Sequence, residues 1–133
     1  MEFANGFRDL EVYKLSRQLS KEIFALSKKF PKEEMYSLTD QVRRSSRSIG
    51  AQIAEAWGKR KYEKHFVSKL TDADGEQLET QHWIETALDC SYISIEISNG
   101  LLKQYDSVGR MLNSMINKSS SFCNQKIKKI TKS

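Results

Sequence analysis

The sequence predicts an all-α protein, an antiparallel up-down bundle of four helices. Apolar residues recur every three or four positions through four segments of about 20 to 28 residues, the period of an amphipathic helix. The 133 residues include one proline and six glycines, which favours long helices over strands and turns. A chain of this length buries about two-thirds of its unfolded surface, enough for one core without disulfides.

The first predicted helix runs from about Asp9 to Lys29 and ends before Pro31, because the residue preceding a proline is disfavoured in the α conformation. Its apolar positions are spaced by three and four, as in the seam of a bundle: Val12, Leu15, Leu19, Ile23, Leu26 and Phe30. Its outer face carries several basic residues, which we interpret as a solvated surface: Arg8, Lys14, Arg17, Lys21 and Lys28.

The second predicted helix begins after Ser37, a residue type that caps helix N-termini through its hydroxyl. It ends near Gly58, which can adopt the left-handed conformation common just after a helix. Its apolar stripe is interrupted at Ser45 and Ser46, whose small side chains would allow another backbone to approach closely. The remaining stripe positions are apolar: Leu38, Val42, Ile49, Ile53 and Ala56 with Trp57.

The third predicted helix spans about Tyr62 to Asp89 and contains Gly75, which suggests a close helix crossing at that point. Two glutamines, Gln77 and Gln81, give it an unusually polar seam, which suggests a hydrated or subunit-facing side. Trp57 and Trp83 are expected to be packing residues at a helix end and an interface.

The fourth predicted helix is capped by Ser94 and continues from about Ile95 to Lys118, because its apolar period runs unbroken through Asn99-Gly100. We therefore assign residues 1–118 to the bundle. Residues 119–133 lose the helical period, and with Lys118 they carry five lysines and no acid. This segment is predicted to be a disordered basic tail.

Charge is strongly segregated along a chain whose net charge is +5. From Gln41 to Lys69 there are eight basic and two acidic residues, a net charge of +6, whereas Leu70 to Asp89 carries six acids and neither lysine nor arginine. Such segregation indicates either a basic surface for a polyanion or a charge-complementary contact between neighbouring elements.

Seven basic residues in and after the second helix form the candidate nucleic-acid site: Arg43, Arg44, Arg47, Lys59, Arg60, Lys61 and Lys64. Guanidinium groups bind phosphate bidentately and lysines add point charges. Tyr62 and His65 lie among these charges, where aromatic rings can stack on exposed bases. A second interpretation pairs the same residues with the acids of the third helix or of a neighbouring subunit. Both interpretations stay open; the first favours the four residues from Lys59 onward as ligand contacts, and the second favours Arg43 and Arg44.

Two chemical alternatives have weaker support in the sequence. Glu79 and His82 have the Glu-x-x-His spacing of di-iron bundles, but no second copy of the motif is present, and Glu55 would be a lone further carboxylate. The acids of the third helix lack a partnered histidine, a nucleophile or a glycine-rich phosphate loop: Asp72, Asp74, Glu76 and Glu79. We therefore expect no metal, no cofactor and no enzymatic activity.

The compartment is predicted from cysteine usage and hydropathy. Cys90 and Cys123 have no disulfide-framework or metal-ligand spacing, which is typical of free thiols in a reducing compartment. No apolar run approaches the roughly 20 residues that span a bilayer, and the N-terminus lacks a signal-peptide core. We expect a soluble cytoplasmic protein that has no membrane partner.

The middle of the chain also resembles a known family. It contains LTDQVRRSSRSIGAQIAEAW, KRKYEKHFVSKL and GEQLETQHWIETALDCSYIS. Over about Phe7 to Ile116 this pattern is similar to the bacterial four-helix bundle proteins first noticed as reading frames in intervening sequences of large-subunit ribosomal RNA genes. The resemblance implies an antiparallel four-helix bundle that assembles as a homopentameric ring. Gly50 stands where many relatives have proline, and the lysine-rich tail lies outside the shared pattern.

The same build is similar to the accessory variability protein of diversity-generating retroelements, which binds nucleic acid and a reverse transcriptase. By extension we expect a non-enzymatic nucleic-acid binding or ribonucleoprotein accessory module, with RNA or DNA and a protein such as a reverse transcriptase as partners. No base-reading helix-turn-helix or zinc module is visible, so binding should be to the backbone and sensitive to salt. The alternative is an oligomeric scaffold for protein–protein interaction.

Overall fold

The computed structural model describes residues 4–123, and its regular elements over that range are all helical. The helices are α1 (Glu11–Ser27), α2 (Leu38–Gly58), α3 (Glu63–Asp89), α4 (Ile95–Asn117) and the short α5 (Ser119–Phe122). One-turn 3-10 helices at Phe7–Asp9 and Lys32–Glu34 precede α1 and α2. The four long helices confirm the helical bundle that the periodicity predicts, including the uninterrupted course of α4. Across residues 4–123, none of the helices combines the length and hydropathy that a membrane span requires.

The four long helices enclose one apolar core. Helix α2 packs against α1 and α3, while α4 packs against α3 and α1. The most deeply buried large side chains come from all four helices: Leu19, Ile23, Ile49, Ile53, Phe66, Leu70, Ile84, Tyr105 and Leu112. Each such side chain contributes about 1.5–3 kcal/mol by leaving water, so the seam positions stabilise the bundle.

Small polar residues permit a close contact between α2 and α3. Ser45 and Ser46 are fully buried, as their place in the apolar stripe predicts. The hydroxyl of Thr80 on α3 donates a hydrogen bond to the hydroxyl oxygen of Ser45 at 2.8 Å, within the buried seam. Two buried polar groups are thereby satisfied by one another, which removes most of the cost of burying them.

The close approach between α3 and α4 occurs at a different glycine from the one predicted. A Cβ atom on Gly75 would meet nothing within 4 Å, whereas one on Gly109 would lie 2.8 Å from the side-chain nitrogen of Gln77. The polar seam is also satisfied within the protomer, since Gln77 donates to Asp74 and Gln81 donates to Asp106 of α4. Gln77 therefore needs the space that Gly109 leaves.

The ends of α2 differ from the prediction. Ser37 occupies the N-cap position, but its hydroxyl donates to the carboxylate of Glu34 at 3.0 Å and does not cap the helix. That carboxylate also accepts the backbone N–H of Leu38 at 3.4 Å, so an acidic side chain replaces the serine at the positive end of the helix. At the other end Gly58 is the last helical residue and Lys59 is the C-cap, so α2 ends without a left-handed glycine. Ser94, by contrast, accepts the N–H of Ile97 as predicted.

The chain after α4 stays on the bundle for several residues. Residues 119–123, which the sequence analysis assigned to the tail, form α5 and one following residue. The hydroxyl of Ser119 donates to the carboxylate of Glu63 at 2.7 Å, and the ring of Phe122 stacks on that of Phe66 at 5.9 Å. An aromatic contact with the core thus holds this segment, while residues 124–133 of the predicted tail lie outside the described residues.

Helix α3 ends in a Schellman motif built on a serine. The N–H of Tyr92 binds the carbonyl of Ala87, and that of Ser91 binds the carbonyl of Leu88, each at 2.9 Å. This pattern places Ser91 in the left-handed region, with φ of 63°, where glycine is the favoured residue. The serine therefore holds a backbone conformation that its side chain disfavours.

Replacing Ser91 by glycine is expected to raise the free energy of unfolding by about 0.5–1 kcal/mol, because the steric cost of about 1–2 kcal/mol exceeds the entropic penalty of glycine. Urea denaturation of Ser91→Gly and wild type measures the change. Ser68→Gly is the matched control, since Ser68 is exposed within α3 and glycine there should lower stability. A Ser91→Gly variant that is less stable than wild type would contradict the assignment.

Candidate nucleic-acid interface

The seven predicted basic residues lie in three separate places on the bundle. Arg44 faces α3, Arg43 and Arg47 face α1, and the other four lie in or beside the connection between α2 and α3. Successive residues of a helix point about 100° apart, so three arginines within five positions of α2 cannot share one direction. The structure therefore divides the predicted patch.

Arg44 is held by carboxylates of α3. One guanidinium nitrogen lies 3.1 Å from Glu76, and the other is in short contact with Glu79. The hydrogen bond to Glu79, opposed by desolvation, raises the pKa of Arg44. The indole N–H of Trp83 also donates to Glu79, at 3.0 Å, and this bond is the main reason why the pKa of Glu79 is lowered. Arg44 thus makes the structural ion pairs that the second interpretation describes.

Arg43 and Arg47 surround an aromatic ring of α1. Their guanidinium carbons lie 4.7 Å and 5.2 Å from the centre of the Phe24 ring, and the ammonium nitrogen of Lys28 lies 4.7 Å from the same point. Arg43 also donates from Nε to the hydroxyl of Ser27 at 2.7 Å. We call Phe24, Lys28, Arg43 and Arg47 the Phe24 cluster. None of its three cations forms an ion pair with a carboxylate of residues 4–123.

The other four basic residues form the turn cluster: Lys59, Arg60, Lys61 and Lys64. The guanidinium of Arg60 stacks over the Trp57 ring at 3.7 Å, and its Nε donates to the Trp57 carbonyl at 2.8 Å. These contacts hold the only arginine of the cluster in a defined place. Lys61 lies 5.8 Å from the ring of Tyr62, a side chain that is 59% exposed.

The carboxylates near the turn cluster are engaged elsewhere. Glu55 pairs with Lys69 at 2.9 Å, and that bond is the main cause of its lowered pKa, to which Lys59 adds only a small electrostatic contribution. Glu63 accepts from Ser119. Among the described residues, no ion pair holds a cation of the turn cluster. The local charge is therefore strongly positive.

An open depression of about 740 Å³ adjoins the turn cluster at the start of α3. Tyr62, Lys64, His65 and Val67 line it together with Glu63. The rings of Tyr62 and His65 lie 5.6 Å apart and are tilted by 49°. A cation and two exposed aromatic rings thus meet at one concave surface, as in sites that bind single-stranded nucleic acid.

The residues considered for metal binding or catalysis have other partners. Glu79 binds Arg44 and Trp83, while His82 contacts the Trp83 ring at 4.7 Å. Asp74 accepts from Gln77, and Glu76 pairs with Arg44. Within residues 4–123 there is no group of three histidine, cysteine or acidic side chains that could hold a metal ion. Glu76 and Glu79 thus join α3 to α2, and Asp74 binds a neighbour within α3.

Sequence reasoning did not identify Phe24 or Lys28 as part of a site. Phe24 lies outside the apolar seam of α1, and 37% of it is exposed. The available signal was its spacing of four residues from Lys28, which places the two side chains on one face of a helix. Arg43 and Arg47 join this cluster only because α2 packs against α1. The spacing of residues along the sequence does not reveal that packing.

Comparison with known proteins assigns a family. The sequence model of the 23S rRNA-intervening sequence proteins matches residues 8–114. The chain belongs to that family. A solved structure from Bacteroides thetaiotaomicron, a protein of unknown function from the S23 ribosomal protein family, is 29% identical, with a TM-score of 0.72. The match covers 80% of this chain and 95% of that chain. No curated protein gives a significant match.

The Glu79 contacts predict a pH-dependent part of the stability. Its lowered pKa means that the carboxylate stabilises the fold fully above its ordinary value of 4.5, and that this contribution is lost as pH falls through the lowered pKa. Glu79→Gln should therefore lower the free energy of unfolding by about 0.5–1 kcal/mol at pH 7, and by less below pH 4. The effect at pH 7 is small because solvent screens the partly exposed carboxylate. Urea denaturation at several pH values measures this difference. The exposed Glu85→Gln is the control, and an equal loss at every pH would contradict the account.

Proposed function

We propose that this protein is a non-enzymatic nucleic-acid binding module, or ribonucleoprotein accessory module, that contacts the phosphate backbone of RNA or DNA. The observation that carries the proposal is the turn cluster, four cations without a carboxylate partner among residues 4–123, beside exposed Tyr62. A surface cation without a carboxylate partner breaks no ion pair when it binds a phosphate. The counterions that this contact releases favour binding. Affinity should therefore depend strongly on salt.

The arrangement supports contact with the backbone more than reading of base sequence. Arg60 is positioned by Trp57 and can present its remaining guanidinium N–H groups to a phosphate. Lys59, Lys61 and Lys64 add point charges, and Tyr62 and His65 offer rings to an unpaired base. Stacking of this kind tolerates any base, so we expect a preference for single strands without marked sequence specificity.

The family name refers to 23S rRNA intervening sequences, which is consistent with an RNA-associated role. The structural relative from Bacteroides thetaiotaomicron has no established function, so it adds support for the fold and not for the ligand. A protein partner such as a reverse transcriptase and a cytoplasmic location belong to the same proposal.

We further propose that the bundle follows an antiparallel up-down path and assembles as a homopentameric ring. Connections of ten residues or fewer between the long helices, and the hydrogen bond of 2.9 Å from Tyr92 to Glu34, support the up-down path. That bond brings the α1–α2 connection to the α3–α4 connection. A ring would repeat the turn cluster five times and strengthen binding through avidity.

The second candidate is a scaffold for protein–protein interaction. It is favoured by large apolar side chains that the protomer leaves exposed, including Tyr36 at 93%, Leu78 at 57% and Ile95 at 50%. A partner molecule could cover apolar side chains that the protomer leaves in water. In this function the basic residues would contribute to assembly.

The first test is fluorescence anisotropy with generic RNA and DNA oligonucleotides between 50 and 200 mM salt. Replacing Lys59, Arg60, Lys61 and Lys64 together by glutamine should weaken binding at least tenfold. It should also lower the slope of log affinity against log salt by about 3, since each lost contact with a single strand removes about 0.7. The oligomeric state should be unchanged.

A charge-matched control replaces four exposed basic residues elsewhere: Lys14, Lys32, Lys103 and Arg110. This variant has the same net charge as the variant in which Lys59, Arg60, Lys61 and Lys64 are glutamine. Equal losses of affinity in both would show that binding depends on overall charge and not on the turn cluster. No binding by wild type at 50 mM salt would refute the nucleic-acid proposal. Dissociation of the oligomer in the turn variant would instead favour the scaffold.

A further inference from the structure

The Phe24 cluster concentrates three positive charges around one aromatic ring. Each cation lies within 5.2 Å of the ring centre, so any two lie within about 10 Å of each other, twice that distance. Like charges this close repel one another, because the separation is comparable with the screening length of about 8 Å. Attraction to the ring face offsets part of that repulsion. A bound anion would offset the remainder.

The neighbouring side chains hold the Phe24 cluster in place and do not neutralise its positive charge. Ser27 accepts from Nε of Arg43 and donates to the carbonyl of Phe24 at 3.0 Å, so the guanidinium is fixed while its terminal nitrogens remain available. Arg17 and Lys21 are exposed seven and three residues before Phe24, on the same side of α1. The two acids nearest in sequence, Glu22 two residues before Phe24 and Asp40 three residues before Arg43, form no ion pair with a described residue.

A smooth path along α2 joins the Phe24 cluster to the turn cluster. Ala51, Ala54 and Gly58 follow Arg47 at intervals of four, seven and eleven residues, which is one face of the helix. Glu55 lies beside this face and is bound to Lys69 of α3. On this face α2 itself therefore presents no side chain larger than a methyl group between Arg47 and Lys59. Twelve residues separate Arg47 from Lys59, a rise of about 18 Å.

We infer that the Phe24 cluster is a second phosphate-binding site and that one nucleic-acid strand lies along α2 across both clusters. This inference rests on the proposed function for the identity of the ligand. Phosphates succeed one another every 3.4 Å or so along a stacked strand, so about six nucleotides reach from one cluster to the other. Phe24 is a positioning residue that holds the cations where phosphates pass.

Two contacts on one strand predict a dependence on length. A strand that reaches both clusters makes its second contact intramolecularly, which raises affinity well beyond that of either contact alone. Anisotropy with fluorescein-labelled oligouridylates of 4 and 16 nucleotides should show at least tenfold tighter binding of the longer probe by wild type. Lys28→Gln, Arg43→Gln and Arg47→Gln combined should remove that gain and leave binding of the shorter probe within about twofold.

Two further variants separate positioning from charge. Phe24→Leu keeps every charge but removes the ring, and it should weaken binding of the longer probe by two- to fivefold. The control Lys14→Gln, Lys103→Gln and Arg110→Gln changes net charge as the triple variant does and should leave the length gain intact. Circular dichroism and sedimentation confirm that each variant keeps its fold and oligomeric state.

The outcomes distinguish the inference from the proposed function. Suppose that the quadruple variant of Lys59, Arg60, Lys61 and Lys64 loses binding, while the triple variant of Lys28, Arg43 and Arg47 still binds the 16-nucleotide probe at least tenfold more tightly than the 4-nucleotide probe. The second site is then refuted and the proposed function stands. If sedimentation shows that the triple variant changes its oligomeric state, the Phe24 cluster belongs to an interface between copies, which also refutes it. If wild type binds neither probe at 50 mM salt, both proposals fail.

Discussion

The buried contact between α2 and α3 determines which charges this protein displays. Ser45 and Thr80 meet through their hydroxyls at 2.8 Å, where neither side chain is accessible to solvent. Larger residues would separate the helices, and unpaired hydroxyls would carry a desolvation cost of about 1–3 kcal/mol each. This seam sets the rotation of α2 about its own axis. With that rotation fixed, Arg44 meets the acids of α3, and Arg43 and Arg47 turn toward α1.

The segregation of charge along the sequence therefore has two consequences. Part of the acidic segment neutralises part of the basic one, through the bonds of Arg44 to Glu76 and Glu79 and of Lys69 to Glu55. The remaining cations of α2 and the following turn stay without carboxylate partners in residues 4–123. Arg43 and Arg47 lie beside Phe24, Arg60 lies over Trp57, and Lys61 lies near Tyr62. The same sequence pattern thus provides both a structural ion-pair network and a positive surface.

Aromatic rings take the place of acids as partners for these cations. The guanidinium of Arg60 lies over Trp57, and those of Arg43 and Arg47 lie beside Phe24. A ring orders a cation without cancelling its charge, unlike a carboxylate, so the field at the surface persists. Such an arrangement suits a protein whose ligand is a polyanion, because preorganised charges lose less conformational entropy on binding.

Periodicity predicted the four long helices because the spacing of apolar residues carries the direction of each buried face. It could not predict features that depend on contacts between segments. Glu34 displaces Ser37 as the cap of α2, Gly109 and not Gly75 allows the close crossing, and Phe122 continues the bundle beyond residue 118. The same distinction applies to the site. The residues of the turn cluster are close in sequence, so the sequence predicted them as a group. The Phe24 cluster forms only because α1 and α2 pack together, so the sequence did not predict it.

Lysine reactivity tests the central claim most directly, since it reports on each charge separately. Acetylation rates, measured by mass spectrometry with and without saturating single-stranded RNA, should fall several-fold at Lys28, Lys59, Lys61 and Lys64. The exposed Lys14 and Lys103 should react at the same rate in both states. Uniform protection of all six lysines, or protection confined to Lys14 and Lys103, would contradict the account that nucleic acid lies along α2.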